Sequence, residues 1–168
     1  MKITVHGSGD LICDEHHFRC AVGRGGVGTK TGEGDGITPI GQYALRTVYF
    51  RPDRIITPKT GLPVIALTPT DGWCDDPAHR HYNHKISLPF TARHEQMWRD
   101  DGLYDVVVVI GYNDHPVVPA LGSAIFMHVA RPEYDTTEGC VALSRNDLLT
   151  VLERCGPGSL IDIIPAER

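Results

Sequence analysis

The 168-residue sequence predicts a mostly β fold, a sandwich or barrel-like sheet carrying one or two short helices. Three observations lead there. Glycine occurs 18 times and proline 12 times, which suits many short strands and turns better than long helices. An uninterrupted apolar run at Val106–Ile110 and a largely apolar one at 123–129 have the length of buried strands. Only one segment, after Cys140, carries a full set of helix signals.

In chain order, residues 2–5 alternate as a strand does, and His6-Gly7-Ser8-Gly9-Asp10 is a turn that leads to a hairpin partner at 11–13. A short strand is expected at 19–22, followed by a glycine-rich loop at 23–36. Residues 43–49 are rich in β-branched and aromatic side chains, a strand signature. Residues 64–67 form a short apolar run between Pro63 and Pro69. The His- and Asp-rich stretch 70–89 reads as a long loop, and 91–99 as a short helix. Val106–Ile110 is expected at the centre of the sheet, with 123–129 as a second strand ending near His128. Ser144 caps the helix that follows, with Asp147 three residues on as a capping-box variant. Leu148, Leu149 and Leu152 give it an apolar face, Gly156 and Pro157 stop it, and 159–164 form a last strand. With no internal repeat and no linker composition, residues 1–168 read as a single domain.

The composition narrows the function classes. A net charge of −5 and a pI near 5.9 argue against a nucleic-acid partner, which needs a basic face. No stretch approaches the ~20 apolar residues that span a bilayer. The opening MKITVHGSGDLI lacks the apolar core of a signal peptide. Five cysteines, Cys13, Cys20, Cys74, Cys140 and Cys155, leave at least one without an intrachain partner. The sequence leaves the oligomeric state open.

Two stretches imitate ligand sites. GRGGVGTKT, residues 23–31, keeps the glycine spacing of a phosphate-binding loop, but Thr29 intrudes before Lys30. A true phosphate loop needs the lysine directly after the last glycine and a helix to follow; here TGEGDGITP follows. A surface or hairpin loop is the plainer reading. CDDPAHRHYNH gathers Cys74, Asp75, Asp76, His79, His81 and His84. Its H-x-H-x-x-H spacing matches no structural zinc pattern, so no metal is expected.

One pair carries chemistry. Cys140 follows Gly139 at the end of an acidic, Thr-rich loop, and His128 lies twelve residues upstream at the end of an apolar run. A cysteine nucleophile needs a base, oxyanion donors and an open approach. Histidine titrates near neutrality and suits the first role. Gly139 brings no side chain to block the attacked carbonyl, and it allows a tight turn that gathers backbone N–H groups. Spacing alone leaves a buried thiol and a satisfied core histidine as the other reading.

The segment Ser123-Ala124-Ile125-Phe126-Met127-His128, followed by Thr137-Glu138-Gly139-Cys140-Val141-Ala142-Leu143, resembles the active-site segment of the L,D-transpeptidase catalytic-domain (YkuD-type) family. Thr38-Pro39-Ile40-Gly41 resembles the family's T-P-x-G element. Gly72-Trp73-Cys74-Asp75-Asp76, Tyr82-Asn83, the 101–105 stretch and Gly111-Tyr112-Asn113 are similar to a compact branch of it. The resemblance implies a peptidoglycan stem peptide as substrate and needs no cofactor. It makes Cys140 the nucleophile, His128 the base, and backbone near Gly139 the oxyanion donor. Acylation releases D-Ala; a second stem's amine then gives a 3→3 cross-link, or water gives an L,D-carboxypeptidase. A non-catalytic wall-peptide-binding module is the reading from another class. Asn113, Tyr112, Glu138 and Trp73 are expected at the substrate, with Tyr104 and the 73–76 loop as further lining; Asp135 and Glu138 offer negative charge for a substrate ammonium, with a solvated acidic loop as the other reading. The substrate places the protein in the periplasm or cell envelope, against the missing leader. Two positions depart from the usual core: Glu138 stands where His is usual, and Ala142 where Arg or Asn is usual.

Overall fold

Two-residue periodicity decides the first sheet. The computed structural model describes residues 1–167. In β1 (Lys2–His6) and β2 (Asp10–Cys13), Ile3, Val5, Leu11 and Cys13 are fully buried while their neighbours face outward, as alternation requires. The two pair antiparallel, and β3 (His16–Arg19) extends the meander. Two-residue strands β4 (Val27–Gly28) and β5 (Thr38–Pro39) pair inside the glycine-rich region. The ten-residue β6 (Gly41–Phe50) is the longest strand, with β7 (Val64–Ala66) beside it. A small separate sheet has β8 (Asp71–Cys74) at its centre, between β9 (Lys85–Ser87) and β10 (His94–Gln96). The chain then returns to the large sheet through β11 (Val106–Ile110), β12 (Phe126–Val129) and β13 (Val141–Leu143). Helix α1 (Arg145–Leu152) leads to the last strand, β14 (Leu160–Ile164).

The large sheet runs β13-β12-β11-β6-β14-β1-β2-β3. The first strand pairs parallel with the last, Ile3 opposite Ile161. One bridge draws the two edges together. Ala21, just past β3, pairs with Ala142 of β13 through N–H···O bonds of 2.8 and 2.9 Å. The result is the barrel-like mostly β architecture expected from the glycine, proline and strand pattern.

The sheet is buried on both faces at its centre, which explains the unbroken apolar β11. Val106, Val108 and Ile110 face a core with Met127, Val141, Leu143 and the helix residues Leu148, Val151 and Leu152. Val107 faces the opposite side, with Phe126, Trp73, Tyr104, Met97 and Cys140. The two cores separate structure from chemistry, since only the second contains Cys140.

The helix begins as expected: the Ser144 side chain accepts the Asp147 N–H at 3.2 Å. It closes at Leu152, before Gly156. Among the described residues no helix is long and apolar enough to cross a membrane.

Four expectations need correction. The 19–22 strand lies earlier, at β3, leaving Ala21 in its single bridge. The 70–89 loop contains β8 and β9. Its polar composition hid them because the buried Asp71 is paired with Lys85 at 2.7 Å and accepts the Thr68 N–H. The 91–99 helix is instead β10, bonded to β8; a three-residue strand is too short to show a period. The 123–129 strand starts only at Phe126, because Ala124 has φ of 54°, outside extended geometry.

Replacing the fully buried Leu148 with alanine should cost about 3 kcal/mol of unfolding free energy in urea titration. The half-buried Leu149→Ala should cost less than about 1.5 kcal/mol. Equal losses would contradict this account of the helix face.

Candidate active site

Strand register brings the two predicted reactive residues onto one face. β12 and β13 pair parallel, with Met127 opposite Val141 and His128 opposite Ala142. Met127 and Val141 enter the helix-side core. Alternation therefore sends Phe126, His128, Cys140 and Ala142 to the other side. There His128, Cys140 and Ala142 line a cavity of about 620 Å³.

Cys140 is held by its own strand environment. Its sulfur accepts the Phe126 N–H at 3.4 Å and donates to the Ala124 carbonyl at 3.3 Å. His128 is not among its hydrogen-bond partners. The His128 ring stands edge-on to Tyr104, centroids 5.4 Å apart. Its Nδ1 lies 2.9 Å from the Val129 carbonyl. A carbonyl can only accept, so Nδ1 carries the proton and Nε2 holds the free lone pair.

The carbonyl beneath the thiol is positioned by a strained residue. Ala124 adopts the left-handed region, and its N–H donates to Asn83 Oδ1 at 3.0 Å. The same oxygen accepts from Trp73 Nε1 at 3.0 Å. Asn83 Nδ2 donates to the Tyr112 and Asn113 carbonyls. Trp73, Tyr112 and Asn113 thus form the bed behind Cys140 and do not line its cavity. Trp73 is buried edge-on against Phe126. Asn113 is occupied by the Val118 and Gly122 backbone, and Tyr112 OH donates to the Leu121 carbonyl. The expectation that these three touch substrate rested on sequence position, which does not report which side of a sheet a residue faces.

The glycine-rich N-terminal region clasps the cysteine loop. Arg24 N–H donates to the Thr137 carbonyl, and Thr137 N–H to the Val22 carbonyl. Arg24 also pairs with Glu138 at 3.0 Å, which places Glu138 at the cavity rim. Gly139 has φ of 129°, and a Cβ there would lie 2.9 Å from the Ile37 carbonyl oxygen, so glycine is required. Its N–H already donates to Thr137 Oγ1 at 3.1 Å. No acceptor for the Cys140 N–H is found among the described residues. Lys30, part of the false phosphate loop, has a structural partner: Nζ lies 2.6 Å from Asp35, whose carboxylate also accepts from Thr31 and Ile37 N–H groups. Burial alone would raise the Asp35 carboxyl, but these bonds outweigh it and hold it well below the usual range.

The cavity is lined by both signs of charge: Lys30, Arg93, Arg99 and Arg131 against Glu33, Asp75, Glu95, Asp135 and Glu138. Asp135 and Glu138 lie at its rim. Glu33, Glu95, Arg93 and Arg99 escaped the sequence reading, because polar residues in segments read as loop or helix carry no spacing signal. Burial pushes the Cys140 thiol up to about 12, with the Glu95 charge adding to it. Burial likewise pulls the His128 imidazole down to about 4. The resting pair is therefore neutral at pH 7. In the His79–His84 stretch, His79 Nδ1 accepts the His81 N–H, and the His79 and His81 rings lie 5.4 Å apart. Among the described residues no three His, Cys, Asp or Glu side chains converge as metal ligands would.

Residues 13–163 match the family model of the L,D-transpeptidase catalytic domain, named YkuD. No curated protein matches. Among solved structures, the chain is similar to a point variant of the helical cell shape determining protein Pgp2 from Campylobacter jejuni. That match has a TM-score of 0.51 and 15% identity, and covers 99% of this chain and 47% of that one. The unsubstituted Pgp2 gives 0.48, 16%, 99% and 48%. This chain spans about half the length of those structures, and at such identity the first likeness speaks for the fold alone.

Two outcomes follow from the electrostatics. Iodoacetamide alkylation of Cys140, followed by peptide mass spectrometry, should accelerate steadily from pH 6 to pH 10, because only the thiolate reacts. A plateau above pH 7 would instead reveal a preformed thiolate–imidazolium pair. The lowered Asp35 contributes stability that is present above about pH 4 and lost as pH falls below it. Asp35→Asn should therefore cost about 3 kcal/mol at pH 7, since it strands Lys30. It should also flatten the loss of urea stability between pH 5 and pH 2.

Proposed function

The chain belongs to the L,D-transpeptidase catalytic-domain family, and from that premise we propose that it is a cysteine-dependent L,D-transpeptidase of peptidoglycan stem peptides. The observation that carries this reading is the shared face of Cys140 and His128 at one cavity. A stem tetrapeptide enters with the carbonyl of its third residue, at the L-centre, over the sulfur. His128 Nε2 takes the thiol proton, and the thiolate attacks that carbonyl. The Cys140 N–H faces the developing oxyanion, with Gly139 leaving the carbonyl room. The imidazolium then protonates the leaving D-Ala amine, and a thioester remains on Cys140. The amine of a second stem attacks the thioester, forming the 3→3 amide. The thiol is regenerated through the same histidine.

The neutral resting pair fits this sequence. The proton moves when substrate is present and water is excluded, rather than beforehand. The Val129 carbonyl fixes the ring tautomer throughout, holding Nε2 available. Trp73, Tyr112 and Asn113 serve by supporting Ala124 under the sulfur, and Glu138 by shaping the rim with Arg24.

Water is a second acceptor, favoured by one observation. Ala142 lines the cavity where resembling members carry Arg or Asn, so the acceptor side offers fewer donors to hold a second stem. The same thioester then hydrolyses, as in an L,D-carboxypeptidase. Either reaction places the site of action in the cell envelope.

Incubating the protein with a stem tetrapeptide should give a covalent adduct on Cys140, heavier by the peptide minus D-Ala. Adding an amine acceptor and weighing products separates cross-linking from hydrolysis. Cys140→Ala should abolish the adduct, and His128→Gln should slow its formation by about 10²–10⁴-fold. Undiminished turnover by Cys140→Ala would sink the reading.

A further inference from the structure

The carboxylates of the cavity are not equivalent. Asp75 is paired with Arg93 at 3.1 Å, and Glu138 with Arg24 at 3.0 Å. Glu33 accepts from Ser123 Oγ and from Tyr82 OH, with Arg93 at 3.9 Å. Asp135 is exposed to solvent. Glu95 differs from all four. It projects from β10 into the cavity wall, and its one protein hydrogen bond comes from the neutral Tyr104 hydroxyl at 2.8 Å. Among the described residues no lysine or arginine nitrogen lies within 4 Å of it.

An anion set into a wall with no cation beside it is costly. Its surroundings add to the cost, because Asp75 and Glu33 repel it, and the Tyr104 bond and the more distant Arg99 do not outweigh its burial. Burial first, and these like charges after it, push the carboxyl above its ordinary range. Tyr104 is fixed in turn by edge contacts with Phe126 and His128, so the carboxylate is aimed by packing rather than by a salt bridge. Of all charged groups, Glu95 acts on the Cys140 sulfur most strongly.

We propose that Glu95 is the docking group for a primary ammonium of the ligand, in the same cavity as the Cys140 sulfur. The structure supplies the carboxylate, its orientation and the space. Such an ammonium also relieves the repulsion that Glu95 exerts on a forming thiolate. Cationic ligands thereby ease the reaction at Cys140, and neutral ones do not. The inference rests on the proposed function only in identifying the ammonium as part of the peptide that acylates Cys140. The electrostatic site itself is independent of that identity.

Two methanethiosulfonates test it, because each forms a disulfide with a thiolate and releases methanesulfinate. Rates at Cys140 are read by peptide mass spectrometry for the 2-aminoethyl (cationic) and methyl (neutral) reagents, each divided by its rate with a free small thiol. The unaltered protein should favour the cationic reagent, and Glu95→Gln should cut that preference about tenfold. Tyr104→Phe and Glu95→Asp keep the carboxylate and should retain most of it. An unchanged ratio in Glu95→Gln would overturn the proposal. So would an equal drop in Glu33→Gln, or failure of both reagents to reach Cys140. A ratio at or below one in the unaltered protein would overturn it even if the glutamine variant failed to fold. A missing acyl-enzyme with stem peptide, by contrast, would sink the proposed function and leave this ratio standing.

Discussion

The site depends on one parallel pairing, that of β12 with β13. Setting Met127 against Val141 and His128 against Ala142 fixes which side chains share a face. A slip of one residue in that ladder would send either His128 or Cys140 into the helix-side core. Much of the surrounding structure bears on that register. Met127, Val141 and Leu143 are locked into the core under α1. The Ala21 bridge holds Ala142 from the far edge of the sheet. The Asn83 network fixes the turn at Ala124 just before the strand.

Burial sets the chemical character of the pair. Sulfur and imidazole both lie in a largely apolar wall beside Phe126 and Tyr104, and each is driven toward its uncharged form. The thiol's partners are the Ala124 carbonyl and the Phe126 N–H, so no hydrogen bond commits it to the histidine at rest. Charge at the site is instead carried by the rim and floor of the cavity. There Asp75 and Glu138 are matched by arginines, Glu33 by two hydroxyl donors and Asp135 by solvent, while Glu95 has the Tyr104 hydroxyl alone.

Much of the large sheet was legible in the sequence, because its strands announce themselves. Alternation at Ile3 and Val5, the apolar run from Val106, and the Ser144 cap are local signals with local causes. The small sheet was not legible. Asp71-Gly72-Trp73-Cys74 is wholly buried, but its acidic residue is neutralised by Lys85, a partner fourteen residues away that no local pattern reveals. The cysteine and histidine of the cavity could be named because the segments that carry them resemble the family's active-site segment. Glu95 could not, since a lone acidic residue in a three-residue strand looks like any exposed one. Trp73, Tyr112 and Asn113 show the converse: a position near the site in sequence does not say whether a side chain lines the cavity or supports it from behind.

The pairing of β1 with β14 has a consequence for biosynthesis. Residues 2–6 pair on one side with the nearby 10–13 but on the other only with 160–164, so that side of β1 must wait for residue 164 to leave the ribosome before the sheet can be completed. The clasp of Arg24 on Thr137 and Glu138 joins segments more than a hundred residues apart and waits nearly as long. Such distant contacts are slow to form, and until they do the thiol lacks its finished surroundings. A translation product ending before residue 160 would thus carry the cysteine without β14 to close the sheet.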